Sequence, residues 1–228
     1  MREFDPAAGS AERIAGVRAR IDAACDRAGR HRADVTLIAV SKTYPALMIA
    51  AAYAAGVRDF GENRVQEALP KIESLRAAGV TPRWHLIGHL QTNKIRAAIE
   101  GFDILHSIDS ERLARAISER SERPVSVLIE VNIAGEASKY GVAPEDVQKL
   151  AQSIGRLANI NLRGLMTVAP RVDNSEDVRP VFRRLREMRD AIGLTELSMG
   201  MTDDFEVAVE EGSTLVRVGR ALFGARAE

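Results

Sequence analysis

The sequence predicts a closed (β/α)8 TIM barrel with an extra helix at its N-terminal end. Eight short apolar, partly β-branched runs alternate with helical patterns along the chain, which implies parallel βαβ units with right-handed crossovers. Eight such units in 228 residues suit a barrel, which typically takes about 250, better than an open sheet. No Pro/Gly/Ser linker, charge block or fixed period interrupts the alternation, so residues 1–228 read as one domain.

The elements follow in order. Ile14, Val17, Ile21 and Ala24 recur at helical spacing and predict a helix over 11–29, capped by Ser10 and ended by Gly29. VTLIAVSKT is too short for a typical helix and predicts a buried strand over 35–41. Pro45 opens an Ala-rich helix that stops at Gly56. Further strands are expected around Phe60, from Trp84 (WHLIG), Ile104 (ILHSI), Ser126 (SVLIEVNI), Leu162 (LRGLMTV), Glu196 (ELSMGM) and Thr214 (TLVRVG). Helical patterns fill 63–78, 93–99, 111–120, 144–157, 175–192 and 204–211. Only ALFGARAE follows the eighth strand, about two helical turns at most, and the N-terminal helix is expected to cover that gap.

Composition excludes several classes. Hydrophobic residues make up 46% and charged residues 28%, which rules out a disordered or collagen-like chain. Lys plus Arg and Asp plus Glu both number 32, so the basic footprint of a nucleic-acid binder is missing. Aromatics at 4% leave no base-stacking platform. Cys25, the one cysteine, excludes an intrachain disulfide and a Cys-rich zinc site. No apolar run approaches the roughly 20 residues of a membrane span, and MREFDPAAGS lacks a signal-peptide core. The expectation is a cytoplasmic protein without a membrane partner, and a monomer, since no dimerisation segment stands out.

Chemistry in a barrel sits at the C-terminal strand ends. The first strand ends in Ser41-Lys42-Thr43, and Lys42 shares parity with Ile38 and Val40. An inward lysine is costly when charged, so burial favours the neutral nucleophilic amine that a Schiff base requires. The bland alternative is a lysine that has left the strand and snorkels to solvent. The last strand reads Val216-Arg217-Val218-Gly219-Arg220. Gly219 lets backbone N–H groups approach an anion, and the loops after strands seven and eight are the usual phosphate site of such barrels. Ser198, Gly200 and Thr202 end the seventh strand and complete a plausible cradle; an ordinary glycine-containing turn explains the same residues. Arg217, inside an apolar strand, demands a partner.

Other polar strand ends are Glu62-Asn63, His85, Asn132 and Met166-Thr167. Asn63 and Thr92 are equally explicable as helix starts. His85 and His89 have the spacing of a zinc pair, but Leu86 replaces the required Glu and Gly88 breaks a helix, so no metal is expected. Asp203 to Glu206 reads as a helix N-terminus, with Asp203 capping and Glu206 reaching back. Arg183, Arg184, Arg186 and Arg189 read as a solvated face.

LIAVSKTYP, FGENRVQE, WHLIGHLQTNK, HSIDS, EVNIAGEASKYG, GLMTVAP and SMGMTDDFEVAVEEGSTLVRVGRALFGAR occur in this order along nearly the whole chain. In this combination the sequence resembles the pyridoxal phosphate homeostasis protein family. The resemblance implies the barrel of the alanine racemase N-terminal domain, fold type III among pyridoxal 5′-phosphate (PLP) proteins. It implies PLP held as an imine on Lys42, with Ser198, Gly200, Thr202, Gly219 and Arg220 around the phosphate. Arg217 matches the residue facing the pyridine nitrogen, and Asn63, His85 and Met166 fall where the family lines the ring pocket.

An arginine does not readily yield its proton, so it leaves the pyridine nitrogen unprotonated and the ring a weaker electron sink. The expected function is therefore intracellular PLP homeostasis and delivery to PLP-dependent apo-enzymes, without strong catalysis. Two alternatives stay open. A PLP-dependent amino-acid racemase needs a second base; the related fold takes a tyrosine from an extra domain, whereas tyrosines here occur at 44, 53 and 140. A class I aldolase would use Lys42 without a cofactor. The loop from Gly135 to Gly141, with glycines at both ends, reads as a hinged lid. Its Lys139 is either surface charge or a second amine competing for PLP.

Overall fold

A computed structural model describes residues 9–136 and 139–224. The chain ends 1–8 and 225–228, and positions 137 and 138 of the expected lid, lie outside the described residues.

The elements are α1 (Ser10–Arg27), β1 (Thr36–Val40), α2 (Ala46–Ala54), β2 (Asp59–Glu62), α3 (Val65–Ala77), β3 (Arg83–Leu86), α4 (Ile95–Gly101), β4 (Ile104–Ile108) and α5 (Glu111–Arg120). They continue as β5 (Val125–Glu130), α6 (Val147–Ile154), β6 (Ile160–Met166), α7 (Arg179–Ile192), β7 (Glu196–Ser198), α8 (Phe205–Glu210), β8 (Leu215–Val218) and α9 (Arg220–Phe223). The eight strands pair in parallel in sequence order and close into a barrel through β8 and β1. The chain is a (β/α)8 barrel.

Strand parity separates two apolar layers. Ala39, Phe60, Leu105, Leu165 and Val216 face the helices and join the larger core. Ile38, Ile104, Leu128, Met166 and Leu215 point inward and pack as a second cluster inside the barrel. The interior is filled, as in barrels of this size, and its polar chemistry is stacked among these residues.

The single turn of α9 cannot cover its sector, and α1 does so, packing on α2, α8 and α9. Its buried stripe is Ile14, Val17, Ile21 and Ala24, the spacing visible in the sequence. Arg13 Nε donates to Leu222 O at 2.8 Å, and Arg20 and Arg27 pair with Glu206 and Glu210 of α8. These partly exposed ion pairs add little energy; the apolar stripe supplies the docking.

Several cap assignments are corrected. Gly9 in the left-handed region precedes α1, and Ser10 is its buried first residue. Asn63 lies before Arg64, the residue that leads into α3, and Thr92 opens a short 3-10 turn with no side-chain cap. Asp204, not Asp203, precedes α8, and Glu206 is drawn off to Arg20. Only the Glu206 difference has a distant cause, its partner Arg20 on α1. No helix among the described residues is long and apolar enough to cross a membrane.

Candidate functional site

Lys42 follows β1 by two residues and is partly buried. Its parity is that of Ile38 and Val40, both buried. The turn carrying it is unusually constrained. Thr43 has φ +70°, the one non-glycine residue with positive φ among those described. A β-branched residue there is strained and persists only where neighbours over-determine it. Those neighbours come from β2 and α3. Thr43 N–H donates to Glu67 Oε1 at 2.5 Å. Lys71 Nζ donates to Ser41 O at 3.1 Å and bridges Glu62 and Glu67 at 3.0 and 2.9 Å. The Ser41 hydroxyl donates to Glu62 Oε1 at 2.7 Å. Burial raises the Glu62 carboxyl while Ser41 and Lys71 pull it back. Sequence reading missed this clamp, although Glu67 and Lys71 sit at i,i+4 on α3.

Arg217 forms the floor. It is 4% exposed, and its Cα pairs with that of Ile38 across the barrel seam. Nη1 donates to Ser198 Oγ at 2.6 Å and Nη2 to Thr167 O at 2.8 Å. Burial lowers its pKa to about 10 despite Asp204 and Glu130. It is less basic than sequence reasoning assumes, yet still a cation at neutral pH. Ser198 is fully buried, and its hydroxyl is shared between Arg217 and His106 Nδ1, the latter at 2.9 Å. Ser198 thus stands between Arg217 and His106, at the end of β7 that leads to Gly200. His85 lies deeper than the sequence reading put it: its ring nitrogens contact Asp59 at 3.0 Å and His106 at 2.9 Å. Met166 is fully buried in the inner cluster, in register with Glu130 and Ser198.

Glu130 is a site residue that sequence reading passed over. Its signal was a carboxylate at inward parity in an apolar strand. It ends β5 at 8% exposure. Burial pushes its pKa up to about 7, with Asp109 adding and Arg217 opposing. Between about 4.5 and 7 the unfolded chain has lost this proton and the folded protein keeps it, so stability falls as pH rises. The shift corresponds to about 3 kcal/mol. Glu130→Gln removes that penalty. Relative to the parent it should gain up to about 3 kcal/mol more at pH 8 than at pH 4.5 in urea unfolding. Equal differences at both pH values would show that Glu130 ionises freely.

The mouth is built from backbone turns. Gly200 adopts φ +90°, and its carbonyl accepts from Arg217 N–H at 2.9 Å. Thr202 is partly exposed beside it. Gly219 leads into α9 next to β1: an added Cβ would lie 3.3 Å from Val40 O. The Lys42 turn and the Gly219 turn therefore sit on adjacent strands. Arg220 pairs with Asp203 at 2.7 Å, both side chains largely exposed. Asn63 is partly buried after β2, and its backbone packs so closely on Gly88 that a Cβ there would meet Asn63 O at 2.4 Å.

The described residues of the loop after β5 are tied to their neighbours. Asn132 Nδ2 donates to Glu136 O at 2.8 Å. Lys139 is partly buried; its Nζ pairs with Glu136 at 2.7 Å and donates to Ala169 O at 3.1 Å, tying this loop to the one after β6. Tyr140 stacks on His89 at 4.2 Å. Among the described residues, no group of three or more His, Cys, Asp or Glu is placed to hold a metal ion. A lysine on a clamped turn with glycine turns on the adjacent strand suits a ligand with an electrophilic carbon and an anionic group.

The profile of the family described as alanine racemase, N-terminal domain, matches residues 15–227. A Pseudomonas aeruginosa protein named pyridoxal phosphate homeostasis protein is 48% identical over 221 residues, 95% of each chain. One of the same name from Aquifex aeolicus is 46% identical over 224 residues, covering 94% of this chain and 97% of its own. Among solved structures, PipY of Synechococcus elongatus with PLP bound superposes with a TM-score of 0.83 at 38% identity, covering 94% of this chain and 100% of that one.

Proposed function

The chain belongs to the family of the alanine racemase N-terminal domain, and from that premise we propose that it is a PLP carrier: it holds PLP on Lys42, keeps the free aldehyde scarce and supplies apo-enzymes. The observation that carries this reading is the pairing of β1 with β8, which sets the Lys42 turn beside the Gly219 turn with Arg217 below. The donor set fits the cofactor. When bound, PLP supplies an aldehyde that a lysine amine captures as a Schiff base, and a pyridine ring whose electron demand depends on what faces its nitrogen.

The chain's own residues divide the work. The Glu62–Lys71–Glu67 clamp holds the Lys42 turn. Thr202 and the backbone N–H groups around Gly200, Gly219 and Arg220 serve the phosphate; Arg220 contributes its side chain only by leaving Asp203. Arg217 is a donor and so leaves the ring nitrogen without a proton, which disfavours carbanion chemistry. Asn63 and Met166 bound the ring.

The test is the absorption spectrum of the PLP-loaded protein before and after borohydride, with mass mapping of the labelled peptide. A reduced adduct on Lys42 is expected; one on Lys94 or Lys139 overturns the assignment. A racemase reading draws on one observation, the exposed Tyr140 on the loop after β5. L- and D-alanine in deuterated water separate the two readings. The carrier shows little or no α-proton exchange, whereas steady exchange with inversion that depends on Lys42 would falsify it.

A further inference from the structure

A continuous line of side-chain hydrogen bonds crosses the barrel interior from the floor of the site to its far end. Arg217 donates to Ser198, Ser198 meets His106 Nδ1, His106 Nε2 meets His85 Nδ1, and His85 Nε2 meets Asp59 Oδ1. All five side chains are at least nine-tenths buried. Asp59 ends the line with a second partner, Arg83, at 2.9 Å through Nε and 3.0 Å through Nη2. None of these contacts is local in sequence: the partners lie 19 to 92 residues apart.

The donor and acceptor inventory gives the line a direction. Arg217 can only donate. Burial alone would raise the Asp59 carboxyl, but the bonds from His85 and Arg83 outweigh it and hold Asp59 ionised, so it can only accept. His85 therefore carries its proton on Nε2. The imidazole between two like neighbours is the costly place for a second proton: burial, His85 and Arg217 all hold His106 well below the usual imidazole value. If each ring carries one proton, a single arrangement satisfies every contact. His106 donates from Nε2 to His85 and accepts the Ser198 hydroxyl at Nδ1, leaving a Ser198 lone pair for Arg217. The charges around the far end are Arg83 on β3, Glu196 on β7 and Arg163 on β6, the last two paired with each other.

We propose that Asp59, His85 and His106 are positioning residues: they fix the direction of the Ser198 hydroxyl and thereby hold the Arg217 guanidinium under the ligand ring. This rests on the reading that the PLP ring lies over Arg217, but the line itself can be tested without PLP. The Ser198 proton is committed to His106 and so does not reach a phosphate. The site's ring contact is then set from the end of the barrel remote from the mouth.

The first test uses the 15N-labelled protein without ligand. Long-range 1H–15N spectra should show His106 as the neutral Nε2–H form and a proton on His85 Nε2 at pH 7; an Nδ1–H form or an imidazolium at His106 overturns the assignment. The second compares His106→Gln with His106→Phe. Glutamine keeps an acceptor for Ser198 and a donor for His85; phenylalanine keeps only the volume and packs better in an apolar core. Solvent exchange of the Arg217 guanidinium protons should speed up in His106→Phe and stay near the parent rate in His106→Gln. In PLP titrations the Phe variant should lose about tenfold in affinity, the size of one lost hydrogen bond to a charged group, and the Gln variant less than about twofold. If the two variants exchange and bind alike, or the Phe variant is the better, His106 only packs. A parent protein that fails to bind PLP sinks the carrier reading, while the tautomer and exchange measurements still judge the line.

Discussion

Replacing Lys42 with alanine should abolish the proposed borohydride-reducible link to PLP and leave reversible binding behind. The chain has four other lysines, at 71, 94, 139 and 149. Lys71 is committed to Glu62, Glu67 and Ser41 O outside the barrel. Lys139 is tied to Glu136 and the carbonyls of Val168 and Ala169. Lys149 is exposed on α6, and Lys94 closes a short turn after β3. None can take over at the inward end of β1. The glycine turns proposed for the phosphate and Arg217 are untouched by the substitution, so PLP should still bind, more weakly and dissociably. The fold should survive, because Glu62, Glu67 and Lys71 still hold Ser41 and the Thr43 backbone. Spectra, reduction and peptide mapping of Lys42→Ala check this against the parent. A reducible adduct of undiminished yield would move the electrophile's partner to another lysine.

The contrast between Lys42 and its clamp shows what a sequence exposes. Lys42, Arg217 and the order of the strands were legible because parity and alternation are local. Ile38, Val40 and Lys42 lie within five consecutive residues, and the step from an apolar run to a lysine needs no partner to be noticed. Glu62 and Lys71 were not legible as parts of the site, because their meaning depends on Ser41, which is 21 and 30 residues away. His106 lies in ILHSI, which was read correctly as a strand, yet its neighbours on β3 and β7 give it its role. Ser198 was assigned to the phosphate on the strength of a hydroxyl near a glycine. In the barrel that hydroxyl also meets Arg217 and His106, partners that its own strand does not announce. Strand ends whose side chains face the barrel interior are decided by cross-strand register, and a single sequence carries no direct mark of it.

The two glycines of the mouth separate folding from binding. Gly200 has φ +90°, and a Cβ built there lies 2.5 Å from Ala208 Cβ and 2.9 Å from Phe205 Cα. Those atoms belong to α8, which is anchored by α1 and cannot back away cheaply. Gly200→Ala combines a left-handed backbone penalty with overpacking, together about 3 kcal/mol, or roughly 6–12 °C in Tm for a chain of this size. Gly219 differs: its φ is −117°, which other residues adopt, and its added Cβ would meet Val40 O at 3.3 Å. Gly219→Val should therefore cost less in stability, but it places branched carbon where backbone N–H groups must approach an anion. PLP affinity should fall about tenfold, the loss of one or two charge-assisted hydrogen bonds, while pyridoxal, which lacks the phosphate, should bind as to the parent. Thermal unfolding of both variants and paired titrations with PLP and pyridoxal decide the matter. Equal weakening of both ligands by Gly219→Val would mean that the turn serves the barrel and not the phosphate.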